Sequence, residues 1–261
     1  MHPVADIDLA AYANGAWVVV KPAERDPESS SFWLFDGDPR TGWRAPKGDT
    51  ATQQLVIALP GRSRIRELEF DSGTAVDVLA ESSNAGPDRG FRTIATVALE
   101  PGRAAQRFAV AKPLTGRWLR FTVSGTHGSG ESIELANIHA RGELLAKASI
   151  PDLSGTYASN YGKLHLRQVG RSMSGCYEFE GGLISNGRVD GRVLRFDWVQ
   201  PGPRGPAIFS FSPDGREFAG QWWYDGKTGQ QGGLWTGNKI STEVGTCEHW
   251  PGAASVAAPG G

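Results

Sequence analysis

The chain is poor in several things, and each scarcity removes a class of explanation. Its 261 residues hold two methionines, two cysteines and five histidines. His2, His127, His139, His165 and His249 are scattered without metal-ligand spacing, so a zinc centre is not expected. Basic residues (27) and acidic residues (28) nearly cancel, leaving a formal net charge of −1. That balance gives no general attraction to nucleic acid or to an anionic membrane. No apolar run approaches the ~20 residues needed to span a bilayer. The longest near the start, Ala16-Trp17-Val18-Val19-Val20, has the length of a strand. No secretory leader is visible, and the tail from Pro251 to Gly261 is low-complexity and linker-like. Both suggest a mature chain that continues into another domain. There is no Gly-x-Ser-x-Gly elbow. Gly226-Lys227-Thr228 has the look of a P-loop ending, but Gly220 lies one position too far upstream and the context is a hairpin.

What is abundant points to β structure. Glycine (35) and proline (16) punctuate short alternating runs, while tryptophan (9) and phenylalanine (11) supply core material. Long amphipathic 3.6-period segments are missing. The chain reads as two β-domains, 1–143 and 153–240, followed by a C-terminal extension, 241–261. In the first, strands are expected at Gln54–Leu59, Arg64–Phe70, Ala75–Leu79 and Arg117–Val123, the last with Leu119, Phe121 and Val123 inward. The loop Asp36-Gly37-Asp38-Pro39-Arg40-Thr41-Gly42-Trp43 is a poor helix and a poor strand interior, and it is lined with hard oxygens.

Several pieces of this first segment occur in the order found in a known family. They are the Asp36–Trp43 loop, Leu55–Leu59 followed by Ile65–Phe70, and Phe91-Arg92-Thr93-Ile94-Ala95. Gly116–Val123 and the closing Ile133-Glu134-Leu135-Ala136-Asn137-Ile138-His139-Ala140-Arg141-Gly142 complete the series. Over roughly residues 12–142 the segment resembles the discoidin, or coagulation-factor C-type, galactose-binding-like domains. The resemblance implies an eight-stranded jelly-roll β-sandwich. It also implies one structural Ca²⁺ held by Asp36 or Asp38, Thr41 and Glu134, with backbone carbonyls completing the sphere. The competing expectation is that Asp36 and Asp38 cap the turn by accepting from backbone N–H groups, with no metal. Trp43 is expected in the core. In the resembling family, sugars bind on loops at one end of the sandwich. Arg44, Lys47, Arg89 and His127 are the candidates here, with Trp33 as a platform. The competing expectation, and the favoured one for any single residue, is a solvated loop side chain.

The second segment parses into about eight strands. They are Gly155–Ser159, Lys163–Val169, Met173–Glu180, Leu183–Val189, Val193–Val199, Ala207–Ser212, Glu217–Tyr224 and Leu234–Lys239. Asp190-Gly191 and Asp214-Gly215 are hairpin signals. An even antiparallel meander removes its edges best by closing into a small barrel, loosely similar to lipocalin and avidin types. Tyr177 and Phe179 are expected inside, while Trp198, Trp222 and Tyr224 either fill the interior or line a cavity. Cys176 is out of phase with Tyr177 and therefore faces outward. Cys247 lies in a segment able to fold back over the wall, so either the two form a disulfide or both are free thiols.

The sequence thus supports an all-β, non-catalytic binding protein, secreted, periplasmic or on the cell surface, attaching to glycans or another surface ligand. The alternative is a structural or assembly protein using both β-domains for protein contacts. A third reading is a hydrolase with an accessory module.

Overall fold

The computed structural model describes residues 4–125, 132–149 and 152–250. The chain divides into two compact units, Met1–Ser149 and Ile150–Gly261.

The first unit contains β1 (Val4–Asp8), β2 (Trp17–Val20), β3 (Trp43–Arg44), β4 (Gln53–Ser72) and β5 (Val76–Ser83). β6 (Arg92–Leu99), β7 (Arg103–Ala109), β8 (Thr115–Ser124) and β9 (Glu134–Lys147) follow. They form one curled nine-stranded sheet with the path β1-β9-β4-β8-β5-β6. β2 and β7 pair with β4, and β3 pairs with β9. The jelly roll is therefore a single curled sheet of nine strands rather than a set of eight.

The two strands expected at Gln54–Leu59 and Arg64–Phe70 are one strand, β4. Its first half pairs with β8, from Gln53 opposite Val123 to Ala58 opposite Trp118. Its second half pairs with β9, from Ile65 opposite Gly142 to Ser72 opposite Leu135. Pro60-Gly61 would ordinarily end a strand. Here the Pro60 carbonyl still accepts from Ala148 N–H at 2.9 Å. Gly61 lies so close to β9 that any Cβ would overlap the Ala146 carbonyl. Leu55, Ile57 and Leu59 from one half and Ile65, Leu68 and Phe70 from the other enter the same buried cluster.

The second unit is a closed barrel, with its first and last strands paired. It comprises β10 (Gly155–Ser159), β11 (Gly162–Val169), β12 (Ser172–Tyr177) and β13 (Gly182–Asp190). It continues with β14 (Val193–Val199), β15 (Arg204–Phe211), β16 (Glu217–Trp223) and β17 (Gly232–Ser241). The meander closes as its alternation implied. One element differs. The strand expected to Glu180 stops at Tyr177, and Phe179–Gly181 is a 3-10 turn with Glu180 at φ 52°. Glu178, the residue between Tyr177 and Phe179, is already helical at φ −69° and ψ −34°, which breaks the two-residue phase, so Phe179 does not point inward as expected but lies 48% exposed.

A recurrent pairing lets so narrow a barrel hold so many rings. Tyr177, Phe209, Phe218 and Trp222 sit directly across from Gly182, Gly220, Gly237 and Gly233. A Cβ at Gly182 would overlap the Tyr177 ring, and one at Gly237 would come within 2.5 Å of the Phe218 ring. Each ring lies over the strand beside it because the opposite residue has no side chain.

Cys176 and Cys247, 71 residues apart, form a disulfide. Cys176 faces out of the barrel and is fully covered by the returning tail. Thr156, His165 and Cys176 form a cross-strand row. The tail is held on that row: the Thr156 hydroxyl donates to the Glu243 carbonyl at 2.8 Å, and Gly245 N–H donates back to Thr156 Oγ1 at 3.3 Å.

Candidate functional site

The Asp36–Trp43 loop follows a 3-10 turn, Ser31–Phe35, and is ordered by its own side chains. Asp36 Oδ1 accepts from Asp38 N–H at 3.0 Å, and Asp38 Oδ1 accepts from Arg40 N–H at 3.0 Å. These are two successive aspartate turns, the capping arrangement that competed with metal binding in the sequence. Gly37, at φ 78°, supplies the left-handed step between them. Gly42 presses on β9, where a Cβ would come 2.6 Å from the Leu135 carbonyl. Trp43 is fully buried and donates its indole N–H to the Ala23 carbonyl at 2.9 Å.

The two aspartates differ in charge behaviour. Burial pushes the Asp36 carboxyl up to about 6, against the opposing pull of the Asp38 N–H and the Thr41 hydroxyl. Asp38 is held below the usual carboxylate range by the Arg40 guanidinium, whose Nη2 lies 2.6 Å from Oδ2. The Thr41 hydroxyl lies 2.9 Å from Asp36 Oδ2 and 2.8 Å from the Asp38 carbonyl, sharing its proton between them. Three hard oxygens of different kinds therefore converge: a carboxylate, a carbonyl and a hydroxyl.

Those three atoms suit part of a calcium shell; the other two carboxylates are engaged elsewhere. Asp38 is taken by Arg40. Glu134 Oε1 lies 3.6 Å from Arg25 Nη2 and 3.7 Å from Arg44 Nε. Among the described residues, no group of three or more His, Cys, Asp or Glu side chains is arranged so that it could hold a metal ion. On neighbouring β9, Asn137 is buried, and its Oδ1 has no hydrogen-bond partner among the described residues.

Glu134 instead belongs to a polar cluster at the end of the sheet where β8 finishes and β9 begins. β3 pairs Arg44 with Glu134, and Arg25 N–H donates to the Arg44 carbonyl at 3.0 Å. Arg25 Nη2 donates to Ser132 Oγ at 2.6 Å. Two guanidiniums thus flank one carboxylate and one hydroxyl, and all three charged groups remain partly open to solvent. Sequence reasoning found Arg44 and Glu134 but missed Arg25 and Ser132. Only folding brings that pair together across 107 residues, so no local pattern marks it.

The other expected binding residues do not all join this cluster. Lys47 is exposed on the loop after β3, and Trp33 is half-buried, edge-on to Phe32 at 5.4 Å. Arg89 is exposed but lies at the opposite end of the sheet. β5 places Asp77 opposite Ser124 and Ser83 opposite Trp118, so the Arg89 loop leaves from the far end of β8. His127 lies outside the described residues. In the barrel, Trp198 is buried, Trp222 is half-buried and Tyr224 is exposed at one rim. Among the described residues, no helix is long and apolar enough to cross a membrane.

No family model and no curated protein sequence matches the chain. Solved structures do match, each over about half of it. The C-terminal domain of a Bacteroides fragilis chitobiase is 18% identical with a TM-score of 0.43, covering 52% of this chain and 97% of that one. Chitosan-binding module 1 of a Paenibacillus chitosanase/glucanase is 15% identical with a TM-score of 0.42, covering 51% and 98%. A family 32 carbohydrate-binding module from Clostridium perfringens, in complex with galactose, is 12% identical with a TM-score of 0.44, covering 52% and 98%.

Proposed function

We propose that the chain is a non-catalytic carbohydrate-binding protein that works outside the reducing cytosol, its first unit holding a neutral oligosaccharide. The observation that carries this reading is the Arg25–Arg44–Glu134–Ser132 cluster. Sugar hydroxyls are both donors and acceptors, and they are recognised by fixed planar donors set beside a carboxylate. The arginines face the carboxylate without being consumed by it, at 3.6 and 3.7 Å, so each keeps N–H groups for a ligand. The Cys176–Cys247 disulfide supports an oxidising compartment.

Calcium is part of the proposal as a structural ion. Asp36, Thr41 and the Asp38 carbonyl would hold it, and it would supply charge that fixes the loop entering β3. Asp38 and Glu134 carboxylates are left out of that role.

The test is a glycan array followed by calorimetric titration with the best oligosaccharide. Binding by the full chain is expected, weakened at least about tenfold, or roughly 1.4 kcal/mol, by Arg44→Ala. An array without hits, or affinity unchanged in both Arg44→Ala and Arg25→Ala, would overturn the reading.

A further inference from the structure

The barrel has two unlike ends. At one end lie the chain entry and the turns at residues 170, 191 and 215; the other end carries the connections β10–β11, β12–β13, β14–β15 and β16–β17. The first end is shut. Leu153 is fully buried there, and the Tyr157 hydroxyl lies 2.9 Å from the Leu153 carbonyl and 3.2 Å from that of Gly215. Among the described residues the second end is open, and every one of its connections or adjoining strand ends contributes an aromatic side chain. Tyr161, Phe179, Trp198, Trp222 and Tyr224 surround a cavity of about 60 Å³, with Trp235 as its floor.

Three features distinguish this cup from ordinary core. The first is a gradient of exposure. Trp235 and Trp198 are 2% and 4% exposed, whereas the rim rings Tyr224 and Phe179 are 42% and 48% exposed. The second is fixed walls. The indole N–H of Trp222 donates to Tyr161 Oη at 2.9 Å, that of Trp198 to the Trp223 carbonyl at 3.0 Å, and that of Trp235 to Ser159 Oγ at 3.2 Å. With the indole N–H groups occupied, these rings offer only faces and edges. Trp198, Trp222 and Tyr224 stand nearly perpendicular to one another, at interplanar angles of 71–84°. The third is provision by glycine. Gly182 and Gly233 leave room for Tyr177 and Trp222 to lie over the wall instead of plugging the mouth.

We infer that this open end is a second ligand site, one that takes a small uncharged ring compound, mostly apolar, with a single hydrogen-bonding edge. Among the described residues, no charged side chain lines the cup; its polar lining is Gln200 and the tyrosine hydroxyls. An ionic ligand would lose its hydration there without a countercharge. The space is smaller than the roughly 150 Å³ that encloses a benzene ring, so a six-membered ring enters it in part and projects from the open mouth between the rim rings. Perpendicular aromatic walls favour edge-to-face packing with a ring inserted among them. The Gln200 amide, at the mouth beside Phe179, meets the ligand's polar edge.

The site is tested with the full chain and para-fluorophenol, read by fluorine NMR. Binding is expected with Kd in the range of about 0.1–1 mM, suitable for a ligand of so few atoms. The paired rim substitutions Phe179→Ala and Tyr224→Ala touch exposed side chains and leave the barrel core in place. They are expected to weaken binding at least about tenfold, and Gln200→Ala about threefold. Galactose and tetramethylammonium are expected not to displace the probe. Absence of line broadening with the wild type, unchanged affinity in the rim variant, or displacement by tetramethylammonium would overturn the inference. The last outcome would reassign the cup to cations held on ring faces.

Discussion

Asp36 offers the most informative single perturbation. Its carboxyl titrates near 6 in the folded chain against 3.8 for an ordinary aspartate, because burial outweighs the hydrogen bonds it receives. The folded state therefore binds this proton more tightly than the unfolded state. Its contribution to stability is complete below 3.8 and is lost as pH rises through about 6. At about 1.4 kcal/mol per pH decade, the gap sets an upper bound of about 3 kcal/mol. Residual solvent contact screens the group, so a loss of about 2 kcal/mol between pH 4 and 7 is expected. For a unit of this size that is a fall in Tm of about 4–8 °C. Asp36→Asn keeps one acceptor oxygen for Asp38 N–H and cannot ionise. Calorimetry from pH 4 to 7.5 in a chelator should show the reductant-insensitive transition sloping down with pH in the wild type and nearly flat in the variant. Millimolar calcium should flatten the wild-type slope as well, because a bound cation supplies the charge that burial withholds. Parallel pH profiles for the two proteins would refute the assignment. A slope unchanged by calcium would refute the calcium proposal alone.

Three further outcomes follow from described contacts. Reducing the disulfide, or Cys247→Ser, releases a closure of 71 residues and should destabilise the barrel by about 4 kcal/mol, seen as a lower denaturant midpoint. Gly182→Ala drives a Cβ into the Tyr177 ring and should cost about 2–3 kcal/mol in the same assay, although the backbone there, at φ −70°, is ordinary. His139 Nδ1 sits 2.7 Å from Asp8 Oδ2, and that hydrogen bond raises its pKa above 6.5 despite burial. The pair's stabilisation is full below 6.5 and lost as pH rises through the raised folded value, an effect of about 1 kcal/mol that Asp8→Asn should abolish.

Much of the barrel was legible because a two-residue alternation states both the strand and the face. Leu194, Phe196 and Trp198 are all buried, as that rhythm requires, and the phase of Cys176 against Tyr177 placed the thiol outside, where the disulfide forms. The same rule misled at Phe179. The alternation continues in the letters, but the helical backbone of Glu178 ends it in space. Pro60-Gly61 misled in the opposite direction, since neighbours in β9 rescue a strand that local propensity would break. The polar cluster was half legible. Arg44 follows a recognisable loop, whereas Arg25 and Ser132 acquire meaning only from each other and from Glu134. The aromatic cup was visible only as an excess of rings. Which of them fill and which line depends on the end of the barrel where each connection lies.

The continuity of β4 bears on how the first unit comes apart and assembles. One backbone serves both halves of the sheet, so neither half can open without exposing the ladder of the other. Amide protons from Leu55 to Phe70 should then exchange in a single slow class, through global opening. Assembly must wait for distant partners: Val123 has to meet Gln53, and Leu135 has to meet Ser72, before either half is covered. A chain still emerging from synthesis cannot complete this unit until β9 is available, so its first hundred residues have no stable resting place of their own.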